Sequence, residues 1–106
     1  MMKGLLAIAA LGALISIVLP VSAADASKGQ AVFDNCAVCH NADSTDTKVG
    51  PGLKNLFKKE KLLSGKPVNE VNVREIIEMG GSTTPPMGGV LTDEDKENLI
   101  AYLKTL

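Results

Sequence analysis

The chain of 106 residues has no tryptophan, one tyrosine, two phenylalanines, two cysteines and one histidine. So few large apolar side chains leave little to fill an interior, and domains of this size often need a cofactor or cross-link for stability. A structural zinc site is excluded because it takes four cysteine or histidine ligands and the chain has only three. With a formal net charge of −1, the chain also lacks the basic excess expected of a nucleic-acid partner.

The cysteines and the histidine lie together in the pentapeptide Cys36-Ala37-Val38-Cys39-His40. This spacing is the attachment signature of c-type haem. Two thiols three positions apart form thioethers to one edge of a porphyrin, while the adjacent imidazole ligates the iron. The sequence therefore predicts one covalently bound haem c, with Cys36 and Cys39 as its attachments and His40 as the first axial ligand of iron.

Two other chemistries fit a pair of cysteines in an exported protein, namely a disulfide and a thioredoxin-like redox pair. A redox pair normally opens a helix that follows a strand, and no apolar, strand-like run precedes Cys36. The adjacent histidine has no part in either alternative. The pattern as a whole therefore favours haem.

The first residues have the layout of a secretory signal peptide. Lys3 precedes an uncharged, apolar run from 4 to 24, which ends in Pro20 and small residues. We expect cleavage after Ala23, with Ala24 as the second choice, so that residues 1–23 are the signal and 24–106 form one domain. An uncleaved membrane anchor is the alternative, because the run is long enough to cross a bilayer. Export predicts a periplasmic or equivalent extracytoplasmic location, where c-type haem is attached.

The mature segment predicts an all-α domain of about four short helices and no strand. Each helix combines apolar residues at helical spacing with a cap or a stop. The predicted helices are residues 26 to about 36 capped by Asp25, a short helix from 53 that ends in the lysine-rich segment 58–61, residues 73–79 capped by Asn72, and 93 to about 105 capped by Thr92. Their buried stripes include Val73, Ile76, Ile77, Leu99, Ile100 and Leu103.

The second axial ligand is predicted to be a methionine, since the chain has no second histidine. Met87 lies in Pro85-Pro86-Met87-Gly88-Gly89, where prolines stiffen the backbone and glycines let it approach a flat ring. Met79 ends a predicted helix, where a methionine usually fills the core. We therefore expect Met87 to bind iron, with Met79 as the alternative.

These motifs resemble the small, soluble class I c-type cytochromes across the chain from Asp25 to Leu106. The resemblance includes Gly50-Pro51-Gly52-Leu53 and the methionine segment, and it implies the cytochrome c-like fold wrapped around one haem. It also implies that the Pro51 carbonyl accepts the ring N–H of His40. Gly29 and Phe33 are expected to meet Tyr102 where the first and last helices cross.

The expected function is that of a one-electron carrier, not an enzyme, which docks transiently on a redox donor and acceptor. Membrane complexes are the expected electron partners. Two alternatives are a fixed haem relay in a membrane oxidoreductase complex and a haem peroxidase or gas-binding protein, although the last usually needs a distal acid-base group. A local group of lysines, Lys54, Lys58, Lys59 and Lys61, is either a docking patch or a solvated face.

Overall fold

A computed structural model describes Gly12 and residues 23–106 of the chain. Within these residues it contains α1 Ala26–Phe33, a 3-10 helix Leu56–Lys58, α2 Glu70–Met79 and α3 Asp93–Leu103. The β pairing there is limited to one isolated bridge, between Lys61 and Pro67. The prediction of an all-α fold is confirmed, with the second helix reduced to a single 3-10 turn.

The predicted signal peptide, residues 1–23, lies outside the described residues except for Gly12 and Ala23. Its cleavage therefore stays a prediction. Among the described helices, none has the length and apolar character that crossing a membrane requires.

Side-chain caps determine where the α-helices begin. Asp25 accepts hydrogen bonds from the Ser27 and Lys28 amides at 2.8 and 3.3 Å, as predicted for α1. Its pKa is lowered, first by the hydrogen bond from the Ser27 hydroxyl and then by those two amides. Thr92 begins α3 in a capping box with Asp95, which satisfies two backbone amides reciprocally.

The predicted cap of α2 was wrong. Asn69, rather than Asn72, caps this helix and accepts the Asn72 amide at 2.8 Å. The Asn72 side chain instead donates to the Pro67 carbonyl at 2.9 Å. A helix can begin at either asparagine on local pattern alone, and here the Asn72 side chain is engaged by Pro67 rather than by a helix amide.

Two helices end sooner than predicted. α1 ends at Phe33 because the following amides bond three residues back, as in the contact from the Cys36 amide to the Phe33 carbonyl at 2.7 Å. The Asn35 side chain also donates to the Val32 carbonyl, a group that a longer helix would use. α3 ends at Leu103, and Thr105 then bonds back to the Tyr102 carbonyl through its hydroxyl at 2.6 Å.

The core lies where α1 and α2 pack against α3. Its buried apolar residues are Phe33, Val73, Ile77, Leu91, Leu99, Ile100 and Leu103. α1 approaches α3 so closely that a Cβ on Gly29 would overlap the Asn98 carbonyl and lie 2.8 Å from the Tyr102 Cβ. The rings of Phe33 and Tyr102 meet at 5.4 Å between centroids. The expected contact of Gly29 and Phe33 with Tyr102 is therefore present, and it explains a glycine inside a helix.

The segment between α2 and α3 returns along the end of α2. Gly80 ends the helix with a φ of +80°, a conformation that favours glycine. The Met87 amide then donates to the Ile77 carbonyl at 2.8 Å, and the Gly88 amide donates to the Glu78 carbonyl at 3.2 Å. These bonds fix the backbone around Met87 to the last turn of α2.

Candidate cofactor site

A cavity of about 600 Å³ lies beside the core. This volume is within the range of about 300–1,000 Å³ that small-molecule and cofactor clefts occupy. Core side chains form part of its wall, and loops supply most of the remainder. The lining includes Phe33, Val73, Ile77, Leu99 and Leu103 from the core and residues 51–53, 61–64 and 80–84 from the loops.

His40 is a buried member of this wall, with 8% of its surface exposed. Its Nδ1 lies 2.8 Å from the Pro51 carbonyl oxygen. Because a carbonyl only accepts hydrogen bonds, Nδ1 carries a proton, and in the neutral ring the lone pair is then on Nε2. Nε2 lies 3.5 Å from the Thr84 hydroxyl, and both residues line the cavity. The neutral imidazole therefore has the orientation and the tautomer that a metal-ligating histidine requires.

Gly50 makes room for that imidazole. Its amide donates to the Cys39 carbonyl at 2.8 Å, which brings the loop backbone against the ring. A Cβ at this position would lie 2.9 Å from His40 Nδ1 and 3.0 Å from Nε2. Only a glycine therefore leaves the ring where the Pro51 carbonyl can bind it.

Further contacts close the loop between His40 and Leu53. The Leu53 amide donates to the Asn41 carbonyl at 2.8 Å, and the Lys48 ammonium donates to the Ala37 carbonyl at 3.0 Å. Gly52 is buried against the backbone of residues 44–45, where a Cβ would overlap the chain. The loop is thus fixed at both ends relative to the cysteine motif.

The two cysteines form no disulfide with each other and are both half-buried. Cys36 lines the cavity, whereas Cys39 is not part of its lining. Burial raises the pKa of the Cys36 thiol, and the nearby Cys39 raises it further. Redox-active Cys-x-x-Cys pairs instead depend on a lowered thiol pKa. The electrostatics at Cys36 are therefore unlike those of a thioredoxin-type nucleophile.

The methionines differ from the expectation in one respect. Met79 is not core filler, since 73% of it is exposed and it lines the cavity. Successive helical residues are 100° apart, so Met79 lies on the side of α2 opposite the buried Ile77. Met87 is half-buried, packs against the core and is not part of the cavity lining. The assignment of Met87 as the iron ligand stays a prediction.

The comparison with known proteins decides the family. The family model described as Cytochrome c matches residues 26–106. The chain belongs to the cytochrome c family. The prediction of a class I c-type cytochrome is confirmed. The predictions of a covalent haem c and of an electron-transfer function rather than an enzymatic function are confirmed with it.

Three relatives illustrate the range of similarity. Cytochrome c6 of a Picosynechococcus species is 36% identical, with 96% of this chain and 92% of the relative aligned. Cytochrome c2 of Blastochloris viridis is 31% identical over 86% of this chain and 85% of the relative. Cytochrome c oxidase subunit 2 of Alkalihalophilus pseudofirmus is 30% identical over 76% of this chain, which spans only 25% of that longer protein.

The donor set and the cavity suit a haem. An apolar wall, an imidazole with a free Nε2 and a thiol at the lining all occur together. Sequence reasoning found His40, Cys36 and Pro51, but it gave Gly50 no role toward the imidazole and did not consider Thr84. The sequence signal for the role of Gly50 was its position directly before Pro51. No local signal marks Thr84.

We expect Gly50→Ala to lower the free energy of unfolding of the haem-loaded protein by about 1–3 kcal/mol, the usual cost of overpacking. The added methyl group must displace the His40 ring or the loop. Urea unfolding measures the effect, and Val49→Ala at the exposed neighbouring position is the control. Equal stabilities of the two variants would contradict the proposed contact.

Proposed function

We propose that the chain is a diffusing one-electron carrier whose haem c is attached to Cys36 and Cys39 and ligated by His40 and Met87. The observation that carries the proposal is the buried His40 ring, with Nδ1–H bound to the Pro51 carbonyl and Nε2 at the cavity. When bound, the haem iron supplies reversible one-electron exchange between its ferric and ferrous states. The protein supplies fixed ligands and an apolar surrounding, so that little has to move when the electron arrives.

The Pro51 carbonyl has a specific part in this proposal. By accepting a hydrogen bond from Nδ1–H, this carbonyl fixes the ring and increases the basicity of Nε2. The burial of His40 protects the same bond from competition by water. His40 therefore presents one orientation and one tautomer to the metal.

Met87 is the proposed second ligand because its backbone is anchored. Its amide bonds to the Ile77 carbonyl, and its own carbonyl accepts the Leu91 amide at 3.0 Å. Met79, in contrast, is largely exposed at the end of α2. A thioether ligand favours ferrous iron more than a second imidazole does and so raises the reduction potential.

The ligand assignment predicts different spectra for two matched variants. Met87→Ala should lose the sulfur-to-iron charge-transfer band of the ferric protein, because no thioether remains on iron. Met79→Ala should keep it. Absorption spectra of both variants, produced with the c-type maturation machinery, test this directly. If the band disappears only in Met79→Ala, the ligand is Met79.

The relatives support a diffusing carrier over a fixed relay. The alignments with cytochromes c2 and c6 span most of those proteins. One observation favours the second candidate, a haem relay within an oxidoreductase, since a relative named as an oxidase subunit contains a similar segment. Two relatives named as cytochromes align over most of their own length, so we prefer the carrier. We further propose export to the periplasm or an equivalent compartment, with membrane complexes as electron partners.

Mass spectrometry of the mature protein distinguishes the two candidates. For a diffusing carrier, we expect residues 1–23 to be absent and the remaining mass to include one haem. An intact amino-terminal run together with one haem would indicate a membrane-anchored relay instead.

The proposed docking surface is the lysine patch of Lys54, Lys58, Lys59 and Lys61. All four side chains belong to exposed residues, and Lys59 and Lys61 also line the cavity. Positive charge at the cavity would attract an anionic partner toward the site of electron exchange. The formal net charge of the whole chain is negative, so any such attraction is local.

Oxidation of the ferrous protein by hexacyanoferrate tests the patch. At low salt, the double variant Lys59→Gln/Lys61→Gln should react more slowly than the wild type, by roughly two- to fivefold for two charges near the site. The difference should vanish at high salt because the charges are screened. Lys28→Gln, an exposed lysine on α1, is the control. A salt-independent rate ratio would indicate that the lysines are merely solvated.

A further inference from the structure

Four charged side chains form a closed ring of ion pairs between α2 and α3. Arg74 contacts Glu78 Oε1 through Nε at 2.9 Å and Asp93 Oδ1 through Nη2 at 2.9 Å. Lys96 Nζ lies 3.5 Å from Glu78 Oε1 and 3.7 Å from Asp93 Oδ1. Each acid therefore contacts both bases. We refer to these four residues as the charge ring.

The charge ring is partly withdrawn from water. The Lys96 side chain is only 7% exposed, those of Arg74 and Glu78 are 31% and 35% exposed, and that of Asp93 is 84% exposed. A buried ammonium is costly unless an acid pairs with it, so Lys96 depends on Glu78 and Asp93. The hydrogen bond from Arg74, together with the charge of Lys96, lowers the pKa of Glu78. The pairing of opposite charges within the ring therefore joins the two helices.

Backbone hydrogen bonds connect the charge ring to Met87. Glu78 uses its side chain in the ring and its carbonyl to accept the Gly88 amide. The preceding carbonyl, that of Ile77, accepts the Met87 amide. Gly88 passes so close that a Cβ there would lie 3.0 Å from the Glu78 oxygen. Any shift of Glu78 relative to α3 therefore moves the backbone on both sides of the Met87 side chain.

We propose that the charge ring positions Met87, an inference that rests on the proposed assignment of Met87 as an iron ligand. Arg74 and Glu78 precede the segment, Asp93 and Lys96 follow it, and their pairing fixes its two ends together. The four residues are positioning residues, since they act on the thioether through the backbone. Their removal should loosen the methionine segment without unfolding the rest of the domain.

The test compares Glu78→Gln with Glu70→Gln. Both variants lose one negative charge from α2, but Glu70 belongs to an exposed pair with Lys104 and does not line the cavity. We expect Glu78→Gln to lower the concentration of added imidazole that displaces the thioether from ferric iron by about tenfold, within the range of coupling in such networks. We expect no such change in Glu70→Gln. Hydrogen exchange at the Met87 and Gly88 amides should accelerate in Glu78→Gln, while exchange in α1 stays at the wild-type rate.

A second pair of variants separates charge from packing. Lys96→Met keeps most of the apolar stem but removes the charge, and it should behave like Glu78→Gln. Lys96→Arg keeps the charge and should retain wild-type imidazole competition. Uniform acceleration of exchange throughout the domain, or equal behaviour of Glu78→Gln and Glu70→Gln, would overturn the role of the charge ring.

The experiments distinguish a wrong ligand assignment from a wrong role for the charge ring. If Met87→Ala keeps the charge-transfer band, the proposed ligand is wrong, and the inference built on it is overturned as well. If Met87→Ala loses the band while Glu78→Gln and Lys96→Met resemble their controls, the charge ring alone is refuted.

Discussion

The hydrogen bond from His40 to the Pro51 carbonyl is the constraint on which the rest of the site depends. It requires the loop that follows the cysteine motif to turn back onto the imidazole. Gly50 and Gly52 permit that approach because they have no side chains. With the loop closed, Nδ1 is occupied and Nε2 remains for a metal. The single orientation of the ring places Nε2 at the cavity, beside Thr84 and the apolar wall.

The two sides of the domain contribute different kinds of stability. α1 and α3 meet through a close backbone approach and an aromatic contact, which leaves little freedom at the motif that follows α1. α2 packs on α3 through the buried Val73 and Ile77, and the charge ring adds ion pairs between the same two helices. Backbone hydrogen bonds to the end of α2 then hold the methionine segment. The histidine side of the domain therefore depends on close packing, whereas the methionine side combines packing with paired charges.

Most local signals were read correctly from the sequence, whereas nonlocal contacts were predicted correctly only where the family resemblance implied them. Asp25, Thr92 and the stop at Gly80 follow from the chemistry of a few adjacent residues, and the haem motif is equally local. Asn69 and Asn72 are both competent caps, and only the folded chain shows that Asn69 accepts the helix amide while the Asn72 side chain bonds to Pro67. The exposure of Met79 follows from which face of α2 meets α3, and the charge ring joins residues of two helices whose approach no local pattern specifies.

The bond from the Asp25 amide to the Asn98 side chain joins groups 73 residues apart. The helix preceding the cysteine motif thus obtains its packing partner only after nearly all of the domain has been synthesised. Contacts of such high sequence separation close a long loop, which costs conformational entropy and slows folding. The geometry at the two thiols therefore depends on residues at the far end of the domain, and a chain shortened at α3 would leave the preceding helix without its partner.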